Sequence, residues 1–144
     1  MLHVLTGTRS RTALLALVLT GVFAGTAAAA AGLTIDSTAP LSPGRLHATL
    51  SGSVTCNPGD STYLSGQISQ TKGASGFGST QITCTGAPQH YTIDVGANGF
   101  PFGGGGGPFK AGKASAQVSY STCTDPFFPI CTTQYTDAII RLTK

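Results

Sequence analysis

The clearest pattern in the chain is a strict alternation of apolar and polar residues across positions 45–56. After Arg45, odd-numbered positions carry histidine, serine or threonine, and even-numbered positions carry apolar or small residues. A period of two sustained in this way is typical of a β-strand with one buried and one solvated face. We therefore predict a core strand whose inward residues are Leu46, Ala48, Leu50, Gly52, Val54 and Cys56.

Further segments along the chain show the same alternation, separated by turns rich in glycine and proline. Seven short alternating strands with such turns favour an all-β fold, a single seven-stranded antiparallel β-sandwich. One domain, residues 32–144, is long enough to enclose one core. The predicted strands are 33–36, 45–56, 62–70, 80–84, 90–95, 113–122 and 133–143.

The first 31 residues have the three parts of a secretory signal peptide. Arg9 and Arg11 supply a basic n-region, residues 13–24 an apolar h-region, and residues 26–32 several small-residue cleavage sites. The apolar stretch is shorter than the roughly 20 residues that span a bilayer. We therefore expect cleavage within residues 27–32 and secretion of the domain to the extracellular space.

All four cysteines lie in the predicted mature domain, which fits an exported protein with two disulfides. Their spacing contains no Cys-x2-Cys pair and so does not favour a zinc site. If consecutive strands alternate in direction, all four thiols gather at one end of the sandwich. We favour the pairs Cys56–Cys84 and Cys123–Cys131, while two other pairings stay open, including one that joins Cys56 to Cys123.

Removal of the signal also removes two of the eight basic residues. Six basic residues then face five acidic ones, for a net charge of +1. A charge so close to zero argues against nucleic acid or an anionic membrane as a partner.

The residues that often carry chemistry do not form a catalytic pattern. Positions 107–113 nearly match a phosphate-binding loop, but Ala114 stands where Ser or Thr would ligate magnesium, and a strand follows instead of a helix. His47 and His90 are predicted to point outward, and a pair of His90 with Asp94 would lie on a solvated face. No Gly-x-Ser-x-Gly motif is present. We expect no enzyme, metal or cofactor.

All mature phenylalanines fall in predicted loops, although strands usually collect aromatic residues. One interpretation is that the loop tips present them to a partner. The other is that they fold back as lids over a core poor in large side chains. The candidate partner-binding residues are Phe127, Phe128, Phe100, Phe102 and Phe109, and Phe77 lies in another such loop.

Residues 108–115 lead into an alternating strand that ends at Cys123. They resemble the corner between the fifth and sixth strands of bacterial immunoglobulin-like domains. With the seven-strand pattern, residues 46–142 resemble the small secreted immunoglobulin-like proteins of actinobacteria. The resemblance implies an immunoglobulin-like sandwich that acts as a non-catalytic extracellular binding module for a protein or a small ligand.

Two alternative functions remain. Residues 123–131 resemble the disulfide-closed reactive loop of Bowman–Birk protease inhibitors, in which Asp125 would occupy the specificity position. The sandwich with two disulfides is also similar to enediyne apoproteins, which implies a small-ligand carrier.

Overall fold

A computed structural model shows the fold of the chain and describes residues 32–71, 74–97, 107–123 and 131–144. The predicted signal peptide, residues 1–31, lies outside these ranges, as do Phe100, Phe102, Phe127 and Phe128. The described residues contain only strands and connections, and no helix among them could cross a membrane.

Seven β-strands confirm the all-β class. The last six overlap the predicted strands, whereas the first lies just after the predicted segment 33–36. The strands are β1 (Thr38–Pro40), β2 (His47–Val54), β3 (Ser61–Ser69), β4 (Ser75–Thr83), β5 (Gln89–Ala97), β6 (Gly112–Cys123) and β7 (Cys131–Thr143).

The strands join in one sheet in the order β1-β7-β6-β3-β4-β5-β2. The expectation of a purely antiparallel arrangement was wrong, because β1 pairs with β7 in parallel. The cause is a crossing of the N-terminal segment. The Asp36 N–H donates to the Ser51 carbonyl of β2. At the next residue, the Ser37 carbonyl accepts from the Arg141 N–H of β7. A bridge from Leu41 back to Ala48 then brings the two ends of the sheet together, so the sheet is nearly closed like a barrel.

The junction of β4 with β5 depends on two glycines. A Cβ at Gly78 would overlap the carbonyl oxygen of Asp94, and one at Gly76 would lie 2.6 Å from the carbonyl oxygen of Gly96. Only glycine lets the two backbones approach this closely. Residues 75–78, predicted as loop, therefore belong to β4.

The core lies between the inward faces of β2 and β5 and those of β3 and β6. The alternation of β2 is confirmed, since Ala48, Leu50 and Val54 are buried. Leu46 is instead half exposed because it precedes the strand. Tyr91 and Phe109 are the largest fully buried side chains among the described residues.

Both favoured disulfides are confirmed. Cys56–Cys84 closes a sequence separation of 28 residues, and Thr62 Oγ1 lies 3.3 Å from Cys84 Sγ in the core. Cys123–Cys131 joins residues directly opposite one another in the β6–β7 ladder, with a Cα–Cα distance of 4.1 Å. The second bridge therefore fastens the end of a continuous hairpin.

Candidate functional site

Of the predicted loop phenylalanines, only Phe77 and Phe109 lie in the described ranges. Phe109 is fully buried, so it cannot serve as a partner-binding tip. Its backbone N–H donates to the carbonyl of Arg45 over 2.8 Å, and its ring lies over Gly76, where a Cβ would be 2.7 Å from Phe109 Cζ. Phe109 therefore fits the second interpretation, in which a loop phenylalanine folds back over the core. Phe77 belongs to β4, and the other four candidates lie outside the described ranges.

Exposed large side chains collect instead on one sheet face. We call the outward side of the adjacent strands β4, β3, β6 and β7 the outer face. Four of the five exposed large apolar or aromatic side chains in the described part of the chain lie on it. They are Tyr63, 60% exposed, Tyr135, 67% exposed, Ile139, 62% exposed, and Phe77, 39% exposed.

The sequence alternation already indicates which large side chains lie on this face. In the predicted strand 62–70, Tyr63 is out of phase with the apolar residues Leu64 and Ile68. In the predicted strand 133–143, Tyr135 and Ile139 are out of phase with Ile140 and Leu142. The phenylalanines pointed to the loops instead, because all those of the predicted mature domain fall in predicted loops.

Hydrogen-bonding groups, most of them uncharged, lie between the exposed rings. Gln117 lies opposite both Gln67 of β3 and Asp137 of β7, and its Nε2 donates to Asp137 Oδ1 over 2.8 Å. Ser121 and Thr133 share a hydroxyl hydrogen bond of 2.9 Å. The outer face thus combines aromatic rings with amide and hydroxyl groups.

Shallow depressions run along this face and open to solvent. One of about 160 Å³ lies over the Gln67, Gln117 and Asp137 side chains. It shares Ser69 and Ser115 with a second of about 370 Å³, which reaches Ile139. Their continuity forms an open trough, a shape that suits an extended chain better than an enclosed small molecule.

The trough ends at two basic residues. Lys113 and Arg141 lie directly opposite each other on β6 and β7 and line a further depression of about 390 Å³. Like charges at opposed positions repel, and among the described residues neither has an acidic side chain within salt-bridge distance. This end is therefore positively charged, whereas the middle of the face carries the negative charge of Asp137.

The histidines lie on the opposite side of the molecule, around β2 and β5. His47 Nδ1 lies 3.0 Å from Asp94 Oδ2, and His90 Nε2 lies 3.9 Å from Asp36 Oδ2. The two histidines therefore point outward, as predicted, and Asp36 on the crossing segment, not Asp94, is the acidic residue beside His90.

These pairs do not amount to a catalytic or metal centre. All four side chains are exposed. Within the described ranges, neither imidazole is hydrogen-bonded to a serine, threonine or cysteine side chain that could act as a nucleophile. Those ranges also contain no group of three metal-ligating residues.

Tyr91 carries the strongest electrostatic perturbation, and its role is structural. Its hydroxyl donates to the carbonyl of Thr34 over 2.7 Å. Burial, and secondarily the negative charge of Asp36, raise the pKa of Tyr91 well above its usual value. Burial also raises the pKa of Tyr120. Both rings therefore stay neutral and belong to the core.

The protease-inhibitor and carrier alternatives gain no geometric support. Residues 124–130, which would contact a protease, lie outside the described ranges. The chain matches no protein-family model, and no curated protein matches it.

Proposed function

We propose that this protein is an exported, non-catalytic binding module that holds a polysaccharide chain on its outer face. The observation that carries the proposal is the exposure of Tyr63, with Phe77 and Tyr135 on the same face, among glutamine, serine and threonine side chains. Sugar rings stack their C–H faces on aromatic side chains, while their hydroxyls exchange hydrogen bonds with amides and hydroxyls. The open trough offers room along a polymer.

Export and the immunoglobulin-like architecture form part of the same proposal. Two disulfides in a small domain are compatible with an extracellular location. The inward side of β3 packs on the β2–β5 pair, since a Cβ at Gly66 would lie 3.1 Å from both Leu50 and Ile93. An N-terminal segment that pairs first with β2 and then in parallel with β7 also supports a sandwich of this type.

The test is retention of the secreted protein on insoluble polysaccharides, with cellulose and chitin as the probes. We expect Tyr63→Ala to weaken retention about threefold to tenfold, the effect of losing one aromatic stacking contact. Leu46→Ala is the matched control, because Leu46 is similarly exposed but does not lie on the outer face. Failure of both polymers to retain the protein, or equal retention of Tyr63→Ala and wild type, would reject the proposal.

A further inference from the structure

The longest strand of the sheet has an edge that no described strand covers. β7 has 13 residues and pairs with β6 along its length. On its other side, β1 pairs only with residues 141–143. Positions 133–139 of β7 therefore have no backbone partner on that side among the described residues.

The hydrogen bonds around β1 show which groups point to this open edge. Arg141 N–H donates to the Ser37 carbonyl, and the Thr143 carbonyl accepts from Leu41, so odd-numbered residues direct their backbone groups away from β6. Because the direction alternates along a strand, the same holds for Thr133, Tyr135, Asp137 and Ile139. The Cα–Cα distance of 4.1 Å at Cys123–Cys131 agrees, since opposed residues without backbone bonds approach more closely.

This edge has little of the protection that natural sheets normally have. Prolines, bulges and several inward or edge charges usually prevent two edges from pairing. Residues 133–139 contain no proline and a single charge, Asp137, and the register of β7 with β6 is unbroken. Tyr135 and Ile139 add two exposed apolar side chains directly beside the open backbone groups.

We propose that two copies of the chain pair antiparallel through this edge and form a symmetric dimer with a continuous sheet. In the symmetric register, Thr133 lies opposite Ile139 of the second copy and Tyr135 lies opposite Asp137 of the second copy. Every odd-numbered residue then meets another odd-numbered one, which permits about eight backbone hydrogen bonds. The register ends before Arg141, whose N–H is already bonded to Ser37.

Side chains and charges select a second copy as the occupant. The register places Tyr135 diagonally beside both Tyr135 and Ile139 of the second copy, so the exposed apolar groups of the two edges cover one another. It sets each Asp137 directly opposite a tyrosine, and the two Asp137 side chains lie diagonally to each other. A two-fold axis closes the assembly after two chains, so the open edge is used up and no filament can grow.

Analytical ultracentrifugation of the purified secreted protein, without any ligand, tests the dimer. We expect the wild type to sediment as a dimer, with a dissociation constant about tenfold or more higher in Tyr135→Pro. Proline at this position removes an N–H that points to the open edge and leaves the bonds to β6 intact. Ile139→Lys introduces a charge on the edge and should also yield monomer.

Tyr63→Ser is the matched control, because Tyr63 is equally exposed on the same face but lies on the interior strand β3. It should sediment as the wild type does. A monomeric wild type would overturn the proposal, as would a dimer that persists in Ile139→Lys. Should circular dichroism show that Tyr135→Pro does not fold, Ile139→Lys decides alone. Because no polysaccharide is present, the result is independent of the proposed function.

Discussion

Replacement of Gly52 by alanine tests how the N-terminal segment is fastened to the core. Gly52 lies opposite Tyr91 in the β2–β5 ladder, and the Tyr91 hydroxyl passes over it to donate to the Thr34 carbonyl. A Cβ at Gly52 would overlap the Thr34 oxygen and lie 2.6 Å from the Tyr91 hydroxyl. The Thr34 oxygen is part of the backbone and the Tyr91 ring is buried, so neither can move aside easily to make room for the methyl group.

The expected cost follows from these contacts. An extra methyl group in a packed interior destabilises by about 1–3 kcal/mol, and loss of the Tyr91–Thr34 hydrogen bond adds about 1 kcal/mol. Gly52→Ala should therefore lower the free energy of unfolding by about 2–4 kcal/mol, a large share of the roughly 5–15 kcal/mol typical of a domain. Tyr91→Phe loses only the hydrogen bond and should cost about 1 kcal/mol.

Urea unfolding followed by far-ultraviolet circular dichroism measures the effect, since the chain has no tryptophan. Gly44→Ala is the matched control because nothing lies within 4 Å of its Cβ position, and it should be neutral or slightly stabilising. The double variant Gly52→Ala/Tyr91→Phe should cost less than the sum of its parts, as both changes remove the same bond. A Gly52→Ala stability within about 0.5 kcal/mol of Gly44→Ala would refute the reasoning.

Three other predictions concern the core and its bridges. The pKa of Tyr91 is raised in the folded state. The free energy of unfolding should therefore be level below about pH 10 and fall above it, because the unfolded chain loses the Tyr91 proton first. Urea midpoints that do not fall above that pH, or that fall equally in Tyr91→Phe, would contradict this. Phe109→Ala should lower the free energy of unfolding by about 3–5 kcal/mol because the ring is fully buried. Leu46→Ala should lower it by less than about 1 kcal/mol. Similar values for the two variants in urea unfolding would show that Phe109 is not part of the core. On the chain-entropy model, replacing both cysteines of Cys123–Cys131 by serine should lower the free energy of unfolding by about 2–3 kcal/mol. The same change at Cys56–Cys84, which closes the longer loop, should lower it by about 3–4 kcal/mol. The reverse order in calorimetry would show that loop closure does not explain the stabilisation.

The period of two was sufficient to predict most of the fold. It located six strands and the inward residues Ala48, Leu50 and Val54, because burial of one face is a local property of strand geometry. Alternating strand directions also predicted that cysteines at strand ends gather at one edge, which favoured the two disulfides that form but left two other pairings open.

Contacts between segments distant in the sequence could not be predicted in this way. The partner of His90 is Asp36, which comes from a segment that crosses from β2 to β7. Phe109 is drawn into the core because Gly76 leaves space for its ring. Neither the crossing nor the space produces a periodic signal in the sequence, so composition suggested exposed loop tips instead.

The exposed side chains of β7 connect the two proposals. Tyr135 and Ile139 lie at the border of the outer face, and Tyr63 lies within it on β3. Pairing of two β7 edges would cover the border residues and join the two outer faces in one sheet, while Tyr63 of each copy stays exposed. A polymer long enough to contact both faces would then bind more tightly to the dimer than to either copy, since the second contact becomes intramolecular. The structure therefore predicts an order of dependence. Ile139→Lys, which also alters the lining of the trough, should weaken retention on a polysaccharide and abolish the dimer, whereas Tyr63→Ala should weaken retention and leave the dimer intact.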